Sequence, residues 1–474
     1  MIKLRLLSIA LTLSFGPLAY AQWAGNPPDV QAKLDQQIAS KEDVGELTVL
    51  ANAARMRADY QTLIGTMERL VDLRPQSGDF LFGLATAYAL AGKRSETYNA
   101  LLKIQRLGLA YALNDSGDFK AVADTEVYRY IKDAMSKNGE KFGGGSVRVS
   151  ASGPAALTES LSFDPTSKDY LLGDAALGAV YRLKPNGTMV KFIESNKANG
   201  ISGVLGVLVD PARNELWVAS AQLPQYARFD DALAGRSGLA RFDLKTGAFK
   251  ARYDVPEEAG PRLMSHLAIA KDGTLYIADG LAPNVYVVKP GSKEIEPLFS
   301  NPKLTDLRAI ALSPNDQILY VADLSMGIYG VDLVKKSGIN FVVPENLNLG
   351  GITGMAREAD GSLLLVQGGT SPKRVMRLRL TAQGTQIDKT EPLDAAHPAL
   401  QNPVGAVIVG DSLVTIANSQ WTKLGMDGKL LSKQKLESTQ LFASDLKFAG
   451  ATPSTQDMMK EMQRATDARQ KVKK

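Results

Sequence analysis

The chain has no cysteine and only two histidines, His266 and His397, in 474 residues. Without cysteine there are no disulfides, no thiolate metal sites and no lipoprotein anchor, which needs a cysteine at the cut. Two histidines exclude a histidine-based metal cluster, since such sites take three or more nitrogen or carboxylate ligands. There is no G-x-S-x-G elbow, no phosphate-binding glycine loop and no dinucleotide fingerprint. Beyond the first two dozen residues, no apolar run is long enough to span a bilayer. The net charge is +5, and falls to about +3 once Lys3 and Arg5 are set aside, too small and dispersed to suggest nucleic acid. At 45% hydrophobic and 22% charged, the composition suits large domains that stand on packing alone.

The first residues read MIKLRLLSIALTLSFGPLAYAQW. A basic start, a short apolar core and Ala19-Tyr20-Ala21 predict a secretory signal peptide over 1–21, cut after Ala21. The expected location is periplasmic or secreted, as a soluble protein that does not span the membrane.

Residues 22–138 carry helical patterning. Leu47, Leu50, Ala51, Ala54 and Leu63 recur 34 residues later as Leu81, Leu84, Ala85, Tyr88 and Thr97. Small residues at Ala51 and Ala85 let paired helices approach closely. A 34-residue period is that of the tetratricopeptide repeat, which this segment resembles over about 70 residues. Thr97 and Leu109 depart from that pattern. The resemblance implies a groove for an extended peptide or a second protein; a small helical bundle packed on its neighbour is the plainer alternative. The segment Asp115 to Met135 is expected to cap the array. Residues 139–146, rich in glycine and charge, are expected to form a flexible linker.

From 147 to about 450 the period becomes that of strands. Turn pairs Asn186-Gly187, Asp272-Gly273, Asp360-Gly361 and Asp427-Gly428 mark hairpins. Six similar units centre on YLLGDA, LWVASA, LYIADG, LYVADL, LLLVQG and LVTIAN. Units of this length with about four strands are propeller blades, and six of them close a ring without exposed edges. The predicted fold is a multi-domain α plus all-β chain: a short tetratricopeptide-like domain, then a six-bladed β-propeller. A tail over 451–474 is expected to be an amphipathic helix or disordered.

The stretches SFDPTSKDYLLGDAALGAVYRL, LVDPARNELWVAS and ALSPNDQILYVADLSMGIYGVDL resemble the senescence-marker-protein/gluconolactonase propellers and the related NHL repeats. That resemblance implies a calcium ion in the central channel, held by a glutamate of the first blade and by Asn and Asp of later ones. The matching glutamate is Glu159. Five residues back from each DP-like pair, the later units offer Leu205, Ser265, Arg308, Thr353 and Pro403. Arg308 stands where the family has asparagine, and a hard cation wants several oxygens. The expectation is therefore a Glu159–Arg308 ion pair in the channel. Glu257 and Glu258 are further candidate oxygens for a displaced metal. His266 is a candidate general base. Tyr226, Arg228, Phe229, Lys373 and Trp421 are candidate rim residues, with ordinary loop packing as their alternative. Asp174, Asp279, Asp323 and Asn418 are expected to accept backbone N–H groups.

Two functional readings stay open. The first is a non-catalytic binding or scaffold protein that uses the propeller mouth for a small molecule and the helices for a peptide or protein. The second is a calcium-dependent lactonase-type hydrolase with a rearranged site.

Overall fold

The computed structural model describes residues 28–448, except 153–156, 256–259 and 340. The predicted signal peptide, Glu257 and Glu258, and the tail over 451–474 lie outside the described residues.

Six helices come first: α1 (Pro28–Ser40), α2 (Val44–Met56), α3 (Tyr60–Leu73), α4 (Gly78–Leu90), α5 (Arg94–Arg106) and α6 (Glu126–Asn138). The residues before α2, α3, α4 and α6 are Asp43, Asp59, Ser77 and Thr125, and each side chain accepts an N–H from the first turn. α4 and α5 begin 34 residues after α2 and α3, so the sequence period is the period of a helical hairpin. Ala54 and Ala85 are fully buried, which keeps the hairpins tight. Leu101, Ile104, Leu109 and Ile131 fill the core beneath α4 to α6.

Twenty-four strands then form six four-stranded antiparallel sheets. Blades one to five are each continuous in sequence. Blade six takes three strands from the C-terminal side and its outermost strand, Ser146–Ser150, from the start of the propeller. This pairing of chain ends closes the ring. Neighbouring blades pack through apolar faces such as Leu171, Val180, Val207 and Phe242.

The segment 139–146 corrects the expectation of a flexible linker. Phe142 bridges to Ala395, and Gly145 N donates to Asp394 Oδ1 at 2.8 Å. A Cβ on Gly143 would lie 2.2 Å from the Leu393 carbonyl. Gly143 and Gly145 are there for close approach, since a Cβ on Gly145 would meet the Phe442 ring at 2.5 Å.

The helical layer is bolted to the propeller. The backbone N–H of Gln76, between α3 and α4, donates to Ser325 O, its carbonyl accepts from Asn348 Nδ2, and its Oε1 accepts from Leu349 N. Ser371 Oγ donates to Ala110 O while Ala110 N donates to Ser371 O. Buried Arg374 donates to the Leu107 carbonyl beyond α5, to Asn348 O and to Gln367 Oε1. No carboxylate meets it among the described residues, and burial pushes its guanidinium down to about 10. The carbonyls at the C-terminal end of α5 substitute for a counter-ion.

Candidate functional site between the helices and the propeller mouth

Each innermost strand carries one β-bulge. In blade one the pairing slips between Thr158 and Ser160, so Glu159 is the extra residue. The slips in blades two to five leave out Leu205, Ser265, Arg308 and Thr353. These are the positions reached by counting back from the DP-like pairs. In blade six the slip falls between Val404 and Val407, and Gly405 there has φ +70°, so Pro403 is replaced by Gly405–Ala406. A bulge re-aims a side chain and bends its strand. Here Glu159, Leu205, Ser265, Arg308 and Thr353 all line one cavity. The inner strands crowd together behind them: a Cβ on Gly206 would meet the Ser265 carbonyl oxygen at 1.9 Å.

The loops feeding these strands are held by one polar position per blade. Asp174 Oδ1 accepts from the N–H groups of Ala176 and Leu177, and Asp279 Oδ1 from Leu263, Leu281 and Ala282. Asp323 takes Thr305 and Asp306 on one oxygen and Ser325 and Met326 on the other. Asn418 Oδ1 accepts from Gln440 N. Ser220 and Gln367 occupy this position in blades two and five, and both bond to backbone.

The cavity has a volume of about 1380 Å³. Its floor is the ring of bulged residues with His266 and Asp306. Its roof is helical: Thr48, Asn52 and Arg55 of α2, Leu63 and Met67 of α3, and Phe82 and Thr86 of α4. One side is the blade-six loop with Trp421, Leu424 and Leu431. That loop touches the long blade-two loop, since a Cβ on Gly428 would lie 1.9 Å from the Pro224 carbonyl oxygen. The helical groove and the propeller mouth, two separate sites in the sequence reading, are one enclosure.

Glu159 and Arg308 face the same space without forming the expected ion pair. Arg308 Nη2 donates to Asp306 Oδ2 at 2.9 Å, and its Nε lies 2.6 Å from Oδ1. The reason is local. Asp306 and Arg308 are two residues apart at the start of one strand, so the fork closes on its own blade. Glu159 Oε1 instead accepts from Ser419 Oγ at 2.6 Å. Burial pushes its carboxyl up to about 7, against the pull of Ser419 and of Arg308 at longer range. His266 is driven down to about 3 by burial and then by Arg308. It is a neutral imidazole near pH 7 and a weak base.

The rim candidates divide. Trp421 lines the cavity. Tyr226 is buried, its hydroxyl 2.9 Å from Ser195 Oγ, and packs with Leu205 and Leu223. Arg228 lies against the Tyr226 ring and donates to Ser195 O. Phe229 joins the same apolar cluster. Lys373 Nζ donates to Thr370 O beside the helical layer. These four shape the loops and do not reach the cavity. Asp306 and the whole roof were missed by sequence reasoning; the only signal for Asp306 was its acidic side chain two residues before Arg308.

A calcium centre needs more oxygen donors than the bulge ring supplies. The bulge ring supplies one carboxylate, two hydroxyls, a leucine, a guanidinium and a glycine–alanine pair. No group of three or more histidine, aspartate or glutamate side chains converges among the described residues. Calcium takes six to eight oxygens, so the residues present do not fit it.

No protein-family model matches the chain, and no curated protein matches it. Solved structures with a similar fold include a gluconolactonase from Xanthomonas campestris, 14% identical over 61% of this chain and 86% of that one, with a TM-score of 0.41. The calcium-binding protein regucalcin from Agrobacterium tumefaciens is 13% identical over 64% and 98%, with a TM-score of 0.42. The PQQ-bound aldose sugar dehydrogenase from Streptomyces coelicolor is 15% identical over 64% and 99%, with a TM-score of 0.43. At these identities the likeness is one of propeller fold.

Proposed function

We propose that this chain is an exported binding protein that holds a ligand between its helical layer and its propeller mouth. The observation that carries the reading is the shared wall: α2, α3 and α4 close over a floor supplied by the blades. Ligand pockets favour such domain junctions, with apolar walls and a few converging polar groups. A cavity of about 1380 Å³ exceeds the usual drug-sized site, so the ligand is large or shares the space with water. The bolts through Gln76 and Arg374 support a permanent roof. Export rests on the N-terminal sequence alone.

Nile red, a neutral apolar dye, tests the reading. Saturable one-to-one fluorescence enhancement is expected, weakened at least tenfold by Thr48→Trp, which fills the roof side. Equal binding by the filled variant, or none by the wild type, would reject it.

One observation favours a second reading. A carboxyl at about 7 in an enclosed site is suited to general-base catalysis at neutral pH. Glu159 would draw a proton from water attacking a lactone or ester carbonyl, with Arg308 near the developing oxyanion. A lactone panel with wild type and Glu159→Gln decides it: turnover lost in the variant supports hydrolysis, and no turnover by either removes it.

A further inference from the structure

The charges of the cavity are unevenly matched. Two of its three guanidiniums are held in ion pairs. Arg55 Nη2 lies 2.9 and 2.8 Å from the two oxygens of Asp118. Arg308 forks onto Asp306. Arg74 has no ion pair among the described residues; it donates to the Leu73 carbonyl, and Asp323 acts on it only at longer range. Among the described residues, Glu159, Glu42 and Asp79 line the same space with no cation in ion-pair contact. The chain as a whole is net positive, so an acid surplus here is not a reflection of composition.

Glu159 differs from the other two because it lies at the bottom. Among the described residues its side chain has one hydrogen-bond partner, the Ser419 hydroxyl, and an ionised carboxylate in such a place is costly without a counter-charge. Beside it stands an apolar wall in which Leu205, Leu223, Leu263, Trp421 and Leu424 pack together and all face the cavity. A half-buried acceptor for one positive charge thus adjoins an apolar surface that includes an indole, a ring system attractive to cations.

We propose that the cavity takes a small molecule carrying an ammonium group on an apolar body, with the ammonium on Glu159 and the body against Trp421 and Leu424. The inference deepens the binding reading above and rests on it. It asks less of the site than calcium does. A primary ammonium has three donors and is satisfied by one carboxylate with hydroxyl or water oxygens, whereas calcium would need several more oxygens. Arg308 is forked onto Asp306 and makes no direct contact with Glu159, so the oxygens of that carboxyl stay open to a second cation.

The test compares octylamine, octanol and octanoate on the full chain at pH 8 by titration calorimetry. All three have the same body and differ in head group. Octylamine is expected to bind one-to-one, at least tenfold tighter than either of the others. Glu159→Gln keeps an acceptor for Ser419, removes a half-buried charge, and is expected to fold. It should lose at least tenfold in octylamine affinity and leave octanol unchanged. Equal binding of amine and alcohol, or an unaffected Glu159→Gln, overturns the proposal while the Nile red result still supports a binding cavity. Displacement of octylamine by millimolar calcium through Glu159 also overturns it. If neither Nile red nor any octyl compound binds, the binding reading falls with it.

Discussion

Arg308 points its guanidinium at Asp306, two residues back on its own strand, and leaves Glu159 across the channel without a direct cationic partner. The floor is thus one closed ion pair beside one open carboxyl. Asp306→Ala should cost about 1.5–3 kcal/mol, the range for hydrogen bonds to charged groups, and release Arg308 toward Glu159. The double variant Asp306→Asn, Arg308→Gln should recover most of that loss. Urea unfolding measures both, and equal losses for the single and double variants would contradict the pairing.

Glu159 also sets a pH dependence. Its carboxyl is raised to about 7 in the folded chain, from an ordinary 4.5. The folded state therefore keeps a proton that the unfolded state releases, and stability falls as pH rises from about 4.5 to 7. Asp174, raised to about 6, adds the same sign at lower pH. His266, depressed to about 3, acts oppositely, and its stabilising effect is lost as pH falls below about 6.5. Between pH 6.5 and 7.5 Glu159 is left as the main contributor of the three. Glu159→Gln should flatten the slope there by up to about 1 kcal/mol per pH unit. Melting temperature against pH for both proteins checks it; parallel curves would refute the assignment.

Arg374 and Gln76 hold the roof in place. Arg374→Ala removes a buried guanidinium with four partners, two of them, the Leu107 and Gly108 carbonyls, across the junction. The expected cost is about 2–4 kcal/mol, and the effect should fall on the coupling between the layers. Calorimetry should show one transition for the wild type and two for Arg374→Ala combined with Gln76→Ala. A single transition in the double variant would mean that other contacts carry the docking.

Two glycines should respond with opposite signs. Gly206→Ala puts a methyl 1.9 Å from the Ser265 carbonyl oxygen, a backbone atom in the next inner strand, and should destabilise by about 1–3 kcal/mol. Gly65→Ala, inside α3 with nothing within 4 Å of its Cβ, should stabilise by about 0.5–1 kcal/mol. Chemical denaturation of the pair gives the answer.

Much of this was legible in the chain. The repeated LYIADG-like cores mark six second strands, and the 34-residue offset of Ala51 and Ala85 marks the helical hairpins. The DP-like pairs even locate five of the six bulged residues, because a bulge at a constant offset from a turn is a local feature. Three things were not legible. The partner of Arg308 depended on a choice between a local and a long-range carboxylate, which spacing alone leaves open. Gly143 and Gly145 looked like freedom because close packing and flexibility call for the same residue. The roof was invisible because docking is a long-range relation, written in single residues such as Gln76 and Arg374 that carry no motif.

Roof and floor enclose one site. With no native cysteine, any introduced thiol is unique. Asn52→Cys in the roof and Thr305→Cys in the floor both face the cavity. Maleimide labelling of each, with and without saturating Nile red, is the most direct measurement. The dye should slow both labelling rates in parallel, with the same concentration dependence. Protection of one position alone, or of neither, would contradict it.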